Sequence, residues 1–253
     1  MKYFGKTDIG KLRKGNQDSF GIYEIAENAL LLSVCDGMGG ASGGGEASKL
    51  ALQAFANEIK DACASKIEDS KLDASALDIK LLLSNAAGCA NNAVYKTAQA
   101  NPELQGMGTT LVALFVVDKT MFSINVGDSR MYRINNGEIK QVTHDHSYVQ
   151  YLVDMGKMTL EEAKKSANRN IITRAIGTGE SIEADIEAID LEEGVQDTYF
   201  LLCSDGLTNV VSDEEIAKVV SYEATPEEKV DKLIETANQN GGPDNITVVL
   251  LSI

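Results

Sequence analysis

Four aspartates stand where this 253-residue chain could do chemistry. Asp36 in Cys35-Asp36-Gly37-Met38-Gly39-Gly40, Asp205 in Cys203-Ser204-Asp205-Gly206 and Asp244 in Gly241-Gly242-Pro243-Asp244-Asn245 share one design. Each is expected at the end of an apolar strand, beside a residue that lets the chain turn. Asp128, in Val126-Gly127-Asp128-Ser129-Arg130, follows an apolar run in the same way. Strand ends hold side chains on rigid backbone, and an adjoining glycine permits close approach of a ligand. Converging carboxylates repel one another unless a cation sits among them. Oxygen donors without His or thiolate select hard ions, Mg²⁺ or Mn²⁺ rather than Zn²⁺. A single Asp-Gly is ordinarily only a turn; four such positions weigh against that account, and spacing alone leaves both readings open.

The elements that must position these carboxylates are visible as patterns. Apolar runs at 29–35, 109–117, 121–126, 199–204 and 246–252 have the length and Val, Ile and Phe content of strands. Asn136-Gly137, between the alternating flanks of 131–143, predicts a hairpin. Helices are expected at roughly 46–64 and 75–99, the second after a cap at Asp73. Thr159 with Glu162, Ser212 with Glu215 and Thr225 with Glu228 each place a hydroxyl at a cap and a Glu three residues on, the capping-box pattern. Strands and helices come in blocks rather than strict βαβ alternation, which predicts an α+β fold with antiparallel sheet covered by helices. With no linker or internal repeat, residues 1–253 read as one domain.

Charge and composition exclude several classes. Asp and Glu number 38 against 23 Lys and Arg, a net charge of −15. Nucleic acids and membrane surfaces want a basic face, so no nucleic acid and no membrane partner is expected. No apolar run reaches the ~18 residues of a membrane helix, and residues 1–8 lack the apolar segment of a signal peptide. Cys35, Cys63, Cys89 and Cys203 show no CxxC spacing; Cys35 and Cys203, inside apolar runs, read as buried small hydrophobes in a reducing compartment, so a cytoplasmic setting is expected. Only His144 and His146 are present, too few for a three-His zinc site. Gly5-Lys6-Thr7 lacks the glycine five positions earlier that a P-loop requires. Residues 37–42 imitate a dinucleotide fingerprint, the basis of an alternative oxidoreductase reading, but end in Ser42 and lack parallel βαβ spacing. No Cys is followed six residues later by Arg, and no DxD pair offers an aspartyl nucleophile.

Eight segments then occur in one order: 13–19 (RKGNQDS), 36–40 (DGMGG), 108–110 (GTT), 127–130 (GDSR), 145–147 (DHS), 172–177 (ITRAIG), 204–207 (SDGL) and 242–247 (GPDNIT). Together they resemble the bacterial metal-dependent protein Ser/Thr phosphatases of the protein phosphatase 2C (PPM) family, from about Thr7 to the last strand. The resemblance implies a sandwich of two antiparallel β-sheets flanked by α-helices, four layers in the order αββα, with metals at one end. It implies one catalytic domain with a flap at about 147–170. It further implies two core ions, Mn²⁺ or Mg²⁺, with Asp36 bridging them, the Gly37 carbonyl on one, and Asp205 and Asp244 completing the other. Asp128 reaches a third, weaker ion, Asp18 acts from behind the ligands, and Arg13 holds the substrate phosphate. The implied substrates are phosphorylated proteins, and the implied antagonist is a eukaryotic-like Ser/Thr kinase.

The residue types suit that reaction. Two divalent ions ~3.5–4 Å apart hold a hydroxide at neutral pH and clamp the oxygens of an in-line displacement at phosphorus. Phosphoserine and phosphothreonine would thus be hydrolysed without a covalent enzyme intermediate. A guanidinium recognises phosphate oxygens in bidentate fashion, and arginine is scarce here, at 13, 130, 133, 169 and 174 only. Arg13 fits the phosphate role; Arg130 and Arg174 read as structural ion pairs.

The chain also departs from the family pattern. Met38 replaces a His proposed as general acid in eukaryotic members, so the leaving oxygen takes its proton elsewhere, from metal-bound water. Gln17 replaces a metal-associated Glu, and Ser166-Ala167 replaces a His-Pro in the flap. His144-Asp145-His146 offers an HxH metal pair, or a loop held by hydrogen bonds. Lys2, Lys6, Lys11, Arg13 and Lys14 are followed by no Lys or Arg before Lys49. Such a cluster is ordinarily a solvated face, but its polarity would also attract phosphopeptides. The intact aspartates argue against a phosphoprotein-binding regulator with a dead site.

Overall fold

Two antiparallel sheets form the centre of the computed structural model, which describes residues 1–189 and 197–253, with backbone alone at 41 and 42. The chain opens with β1 (Lys2–Asp8), β2 (Asp18–Ala26) and β3 (Ala29–Met38), then enters helix α1 (Gly40–Ala64). A two-residue ladder, β4 (Ile67–Glu68) with β5 (Lys71–Leu72), leads to helix α2 (Ile79–Ala100). Next come β6 (Gly108–Thr109), β7 (Leu111–Val117), β8 (Thr120–Val126), β9 (Arg130–Asn135) and β10 (Glu138–Gln141). Short helices α3 (Tyr148–Asp154) and α4 (Leu160–Lys165) precede β11 (Asp185–Ile189) and β12 (Thr198–Cys203). The chain closes with α5 (Asp205–Thr208), α6 (Asp213–Ser221), α7 (Pro226–Gln239) and β13 (Ile246–Ser252).

One sheet runs β1-β13-β12-β9-β10 and the other β11-β8-β7-β3-β2, with β6 paired to the end of β3. Alternation along the strands assigns every inward residue to a layer. On β3, Leu30, Leu32 and Val34 join Val112, Phe200, Leu202 and Val249 between the sheets. Leu31 and Cys35 point the other way, into a cluster with Phe55, Ile59 and Leu83 of α1 and α2. On β12 and β13, Leu201, Cys203 and Val248 pack outward against Ile216, Val230 and Leu233 of α6 and α7. The order is therefore α, β, β, α. Both faces of the central strands are covered, so they read as unbroken apolar runs; each large side chain buried contributes roughly 1.5–3 kcal/mol.

Local signals produced the expected turns and caps. Asn136 and Gly137 take φ of 49° and 81° in the β9–β10 hairpin, with Asn135 paired to Glu138. All three capping boxes form, at Thr159, Ser212 and Thr225. Two helix starts need correction. The first helix starts at Gly40, not near Glu46, because Gly43-Gly44-Gly45 lies inside it despite poor helix propensity. A Cβ on Gly44 would stand 2.6 Å from the Gly37 carbonyl oxygen, so this helix start needs glycine to lie against β3. Asp73 caps only a 3₁₀ turn, accepting from Ser75 N at 3.0 Å, and the second helix begins beyond a separate cap at Asp78. Strands β1 and β2 were not anticipated, since Gly5, Gly21 and charged residues interrupt their apolar pattern.

Candidate active site

The site lies where β3, the β8–β9 turn, α5 and the loop before β13 end together. Asp36 sits in β3, directly opposite Asp18 of β2. Like charges facing each other across a ladder destabilise it, so this register needs a compensating cation or proton. The Asp36 backbone is pinned: its N–H donates to Thr110 Oγ1 at 2.9 Å and its carbonyl accepts from Thr110 N at 2.9 Å. Thr110 Oγ1 lies 2.7 Å from Ser129 Oγ, which ties this strand to the turn carrying Asp128. That turn needs Gly127, at φ 114°, since a Cβ there would lie 2.6 Å from Thr110 Cγ2.

Asp205 is the first residue of α5 and Asp244 lies in the loop before β13. Asp244 therefore precedes a strand rather than ending one, a correction to the shared design read from sequence. Ser204, at the cap of α5, makes no capping bond with its side chain; its hydroxyl donates to Asp18 Oδ2 at 2.7 Å instead. Thr247 Oγ1 donates to the same oxygen at 2.6 Å. Asn209 Nδ2 donates to Asp205 Oδ2 at 2.9 Å, and Arg13 Nη2 donates to Asp244 Oδ2 at 2.6 Å.

A cavity of about 490 Å³ is lined by Arg13, Asp36, Gly37, Asp128, Asp205 and Asp244, along with Lys14, Gln17, Met38 and Asn170. Asp18 is buried behind this wall, 6% exposed. Asp128 and Asp205 also border a second cavity of about 390 Å³, walled by Val149, Leu160 and Lys164 on one side and Val211 and Asp213 on the other. Burial raises the Asp36 carboxyl well above the usual carboxylate range, and the charges of Asp18, Asp205, Asp128 and Asp244 add to it. Asp128 is pushed up to about 7 by burial and then by Asp205 and Asp145. Asp18 is pushed up to about 6 by burial, against the hydrogen bonds from Thr247 and Ser204. Asp205 is raised by burial and by Asp244, with the hydrogen bond from Asn209 opposing the shift.

Among the described residues no three His, Cys, Asp or Glu side chains form a ready-made metal nest. The carboxylates are instead drawn to local partners, Asp244 to Arg13 and Asp205 to Asn209. Two buried oxygens, Asp18 Oδ1 and Asp205 Oδ1, have no hydrogen-bond partner at all. Buried acceptors are normally satisfied, and a hard divalent ion suits both orphaned oxygens and mutually repelling carboxylates. The donor set fits such an ion.

The remaining polar residues have structural partners. His144 Nε2 meets Asp154 at 2.8 Å, whereas His146 Nδ1 accepts from Gly127 N at 3.1 Å and so carries its hydrogen on Nε2, facing Asp185 at 3.1 Å. The HxH pair thus serves different carboxylates, and neither ring lines the main cavity. Arg130 is paired with Asp145 and Arg174 with Asp185, each at 2.7 Å. Gln17 Nε2 donates to the Gly40 carbonyl at 2.7 Å. Sequence reasoning missed Asn245, which binds three strangers at once. Its Nδ2 donates to the Ile9 and Gly15 carbonyls, and its Oδ1 accepts from Gln17 N. Asn170, the last residue of the flap implied by the family resemblance, lines the cavity as well.

Comparison with known proteins identifies the family of the chain. The family model described as protein phosphatase 2C matches residues 12–250. The serine/threonine phosphatase stp of Listeria monocytogenes is 36% identical over 246 residues, 97% of this chain and 93% of that protein. The crystal structure of the serine/threonine phosphatase Stp1 from Staphylococcus aureus superposes with a TM-score of 0.87 at 39% identity, over 99% of this chain and 94% of that one. The catalytic domain of PstP, crystallised with two manganese ions, gives a TM-score of 0.81 at 34% identity over 98% of this chain and 96% of that one. The chain belongs to the protein phosphatase 2C family and is one of its bacterial-type serine/threonine phosphoprotein phosphatases.

Proposed function

We propose that the chain hydrolyses phosphoserine and phosphothreonine in proteins by direct in-line attack of water, with no covalent enzyme intermediate. One observation carries the reading: Asp36, Asp128, Asp205 and Asp244 surround a single cavity with a guanidinium at its rim. Asp36, the Gly37 carbonyl, Asp205 and Asp244 would hold two ions, Mn²⁺ or Mg²⁺, and Asp128 would hold a third. When bound, such ions lower the pKa of water, orient it and neutralise developing charge on phosphate oxygens.

The chain's own groups do the rest. Asp18, gripped by Ser204 and Thr247, keeps negative charge directly behind Asp36. Arg13 is half-exposed on Asp244 and exchanges that carboxylate for two phosphate oxygens of the substrate. Met38 lines the cavity without a proton to give and no His lines it, so the leaving alkoxide is protonated from water. Residues 147–170 act as a flap beside the cavity, within one catalytic domain spanning 1–253. Phosphoproteins are the substrates, a eukaryotic-like Ser/Thr kinase is the antagonist, and the cytoplasm is the setting, in keeping with four unpaired cysteines. No helix of the described residues is long and apolar enough to cross a membrane. Phosphate release from a phosphothreonine peptide, with and without Mn²⁺, tests the proposal: wild type turns over only with metal and Asp205→Ala does not. Hydrolysis that survives a chelator would overturn it.

A further inference from the structure

The five basic residues near the N-terminus separate once their surroundings are known. Lys6 is taken by Asp231 at 2.6 Å and Arg13 by Asp244 at 2.6 Å. Lys2, Lys11 and Lys14 have no carboxylate within ion-pair distance among the described residues, and of these only Lys14 lines the main cavity. Positions 9–17 contain Lys11, Arg13 and Lys14 and no acid, in a chain whose net charge is −15. The lip is therefore locally positive at the mouth of a carboxylate-rich cavity.

The lip is also held in place. Asn245 donates to the carbonyls of Ile9 and Gly15 at 2.9 and 3.0 Å and accepts from Gln17 N at 2.9 Å, spanning both ends of the segment. Lys11 N donates to the Gly242 carbonyl at 2.8 Å, and Asn16 Nδ2 to Thr7 Oγ1 at 2.8 Å. So braced a loop fixes the point from which the Lys14 side chain leaves the backbone, at the cavity mouth. Lys14 follows Arg13 in the chain, and both line the cavity mouth.

We propose that Lys14 sets substrate preference by reading a second anionic group, a carboxylate or another phosphoryl group, on a residue flanking the phosphoserine or phosphothreonine. The inference rests on the proposed phosphatase reaction and deepens it to acidic or multiply phosphorylated segments. A compact ammonium supplies a point charge without planar geometry, so it accepts either kind of anion. Arg13, tied to the reacting phosphate, cannot serve both.

The test is a panel of phosphothreonine peptides with Glu, phosphoserine, Gln or Lys beside the phosphothreonine on either side, assayed in excess Mn²⁺. The readout is the ratio of kcat/KM between each charged flank and Gln, so a general loss of activity cancels. Wild type should favour the anionic flanks by roughly two- to fivefold, the scale of an exposed ion pair, and the preference should shrink as salt rises. In Lys14→Ala the ratio falls to about one; in Lys14→Glu it reverses towards the Lys peptide; Lys14→Arg restores it. The Glu and phosphoserine arms separate a carboxylate reader from a phosphate reader. An unchanged ratio in Lys14→Ala, or no flank preference in wild type, overturns the role of Lys14 and leaves the phosphatase reading standing. Failure of wild type to hydrolyse any peptide overturns the phosphatase reading, and this inference with it.

Discussion

Between the sheets, Leu32, Val112, Phe200, Leu202 and Val249 meet other apolar side chains in a closed layer. Four residues beyond Leu32 stands Asp36, and three beyond Leu202 stands Asp205, each burdened by neighbouring carboxylates. The chain thus passes, along β3 and from the end of β12 into α5, from a region where each group suits its neighbours to one where charges oppose each other. Burial helps in the first region and penalises the charged form in the second. The packed layer holds the carboxylates where unaided they would separate, and substitutions should act oppositely at the two ends.

The largest contrast is expected from Asp36→Asn. Removing one carboxylate relieves repulsion, so the melting temperature of the metal-free protein should hold or rise, while phosphopeptide turnover falls on the order of 10³-fold. A variant that loses stability and keeps turnover would reverse the comparison. Leu202→Ala should behave the other way, losing about 2–5 kcal/mol in a denaturant titration. Its turnover per folded molecule should match wild type at a temperature where both are folded.

A subtler separation comes from pH. Burial pushes folded Asp18 up to about 6 and Asp128 up to about 7, above the ordinary aspartate value near 4. Raised folded values mean that the native state holds protons the unfolded state has released. Their contribution to stability is complete below about pH 4 and is lost as pH climbs through about 7. The metal-free protein should therefore lose stability across that window, followed as melting temperature against pH, and Asp128→Asn should flatten the trend. A metal-free protein that gains stability from these groups over the same window would contradict the account. The smallest effect belongs far from the carboxylates: Thr225→Ala, which removes the capping box of α7, should cost about 1 kcal/mol and leave turnover alone.

What could be read in advance followed the range of the interactions. Ile246–Ser252 and the Asn136-Gly137 hairpin were legible because neighbouring residues determine them. Capping boxes, which span three residues, were equally plain. The start of α1 was hidden, because helix-poor glycines are retained there for contact with Gly37, seven positions earlier and on another element. Aspartates beside glycines announced that Asp36, Asp128 and Asp205 could converge, since charge and turn chemistry are written in the residue types. Asn245 could not be found that way. Its three partners lie more than two hundred positions away, and a buried amide that joins two loops has no local signature. Lys14 could be seen only as one of five cations until Asp231 and Asp244 claimed two of the others.

The central claim is that the mutual repulsion of these aspartates is relieved by a divalent ion bound to the folded state. Thermal unfolding in increasing Mn²⁺, wild type beside Asp36→Asn, tests it without reference to any substrate. An ion at 100 times its dissociation constant should add about 2.7 kcal/mol, so the wild-type melting temperature should climb with Mn²⁺ while that of Asp36→Asn responds weakly. A wild-type melting temperature indifferent to millimolar Mn²⁺, or an equal rise in both proteins, would contradict it.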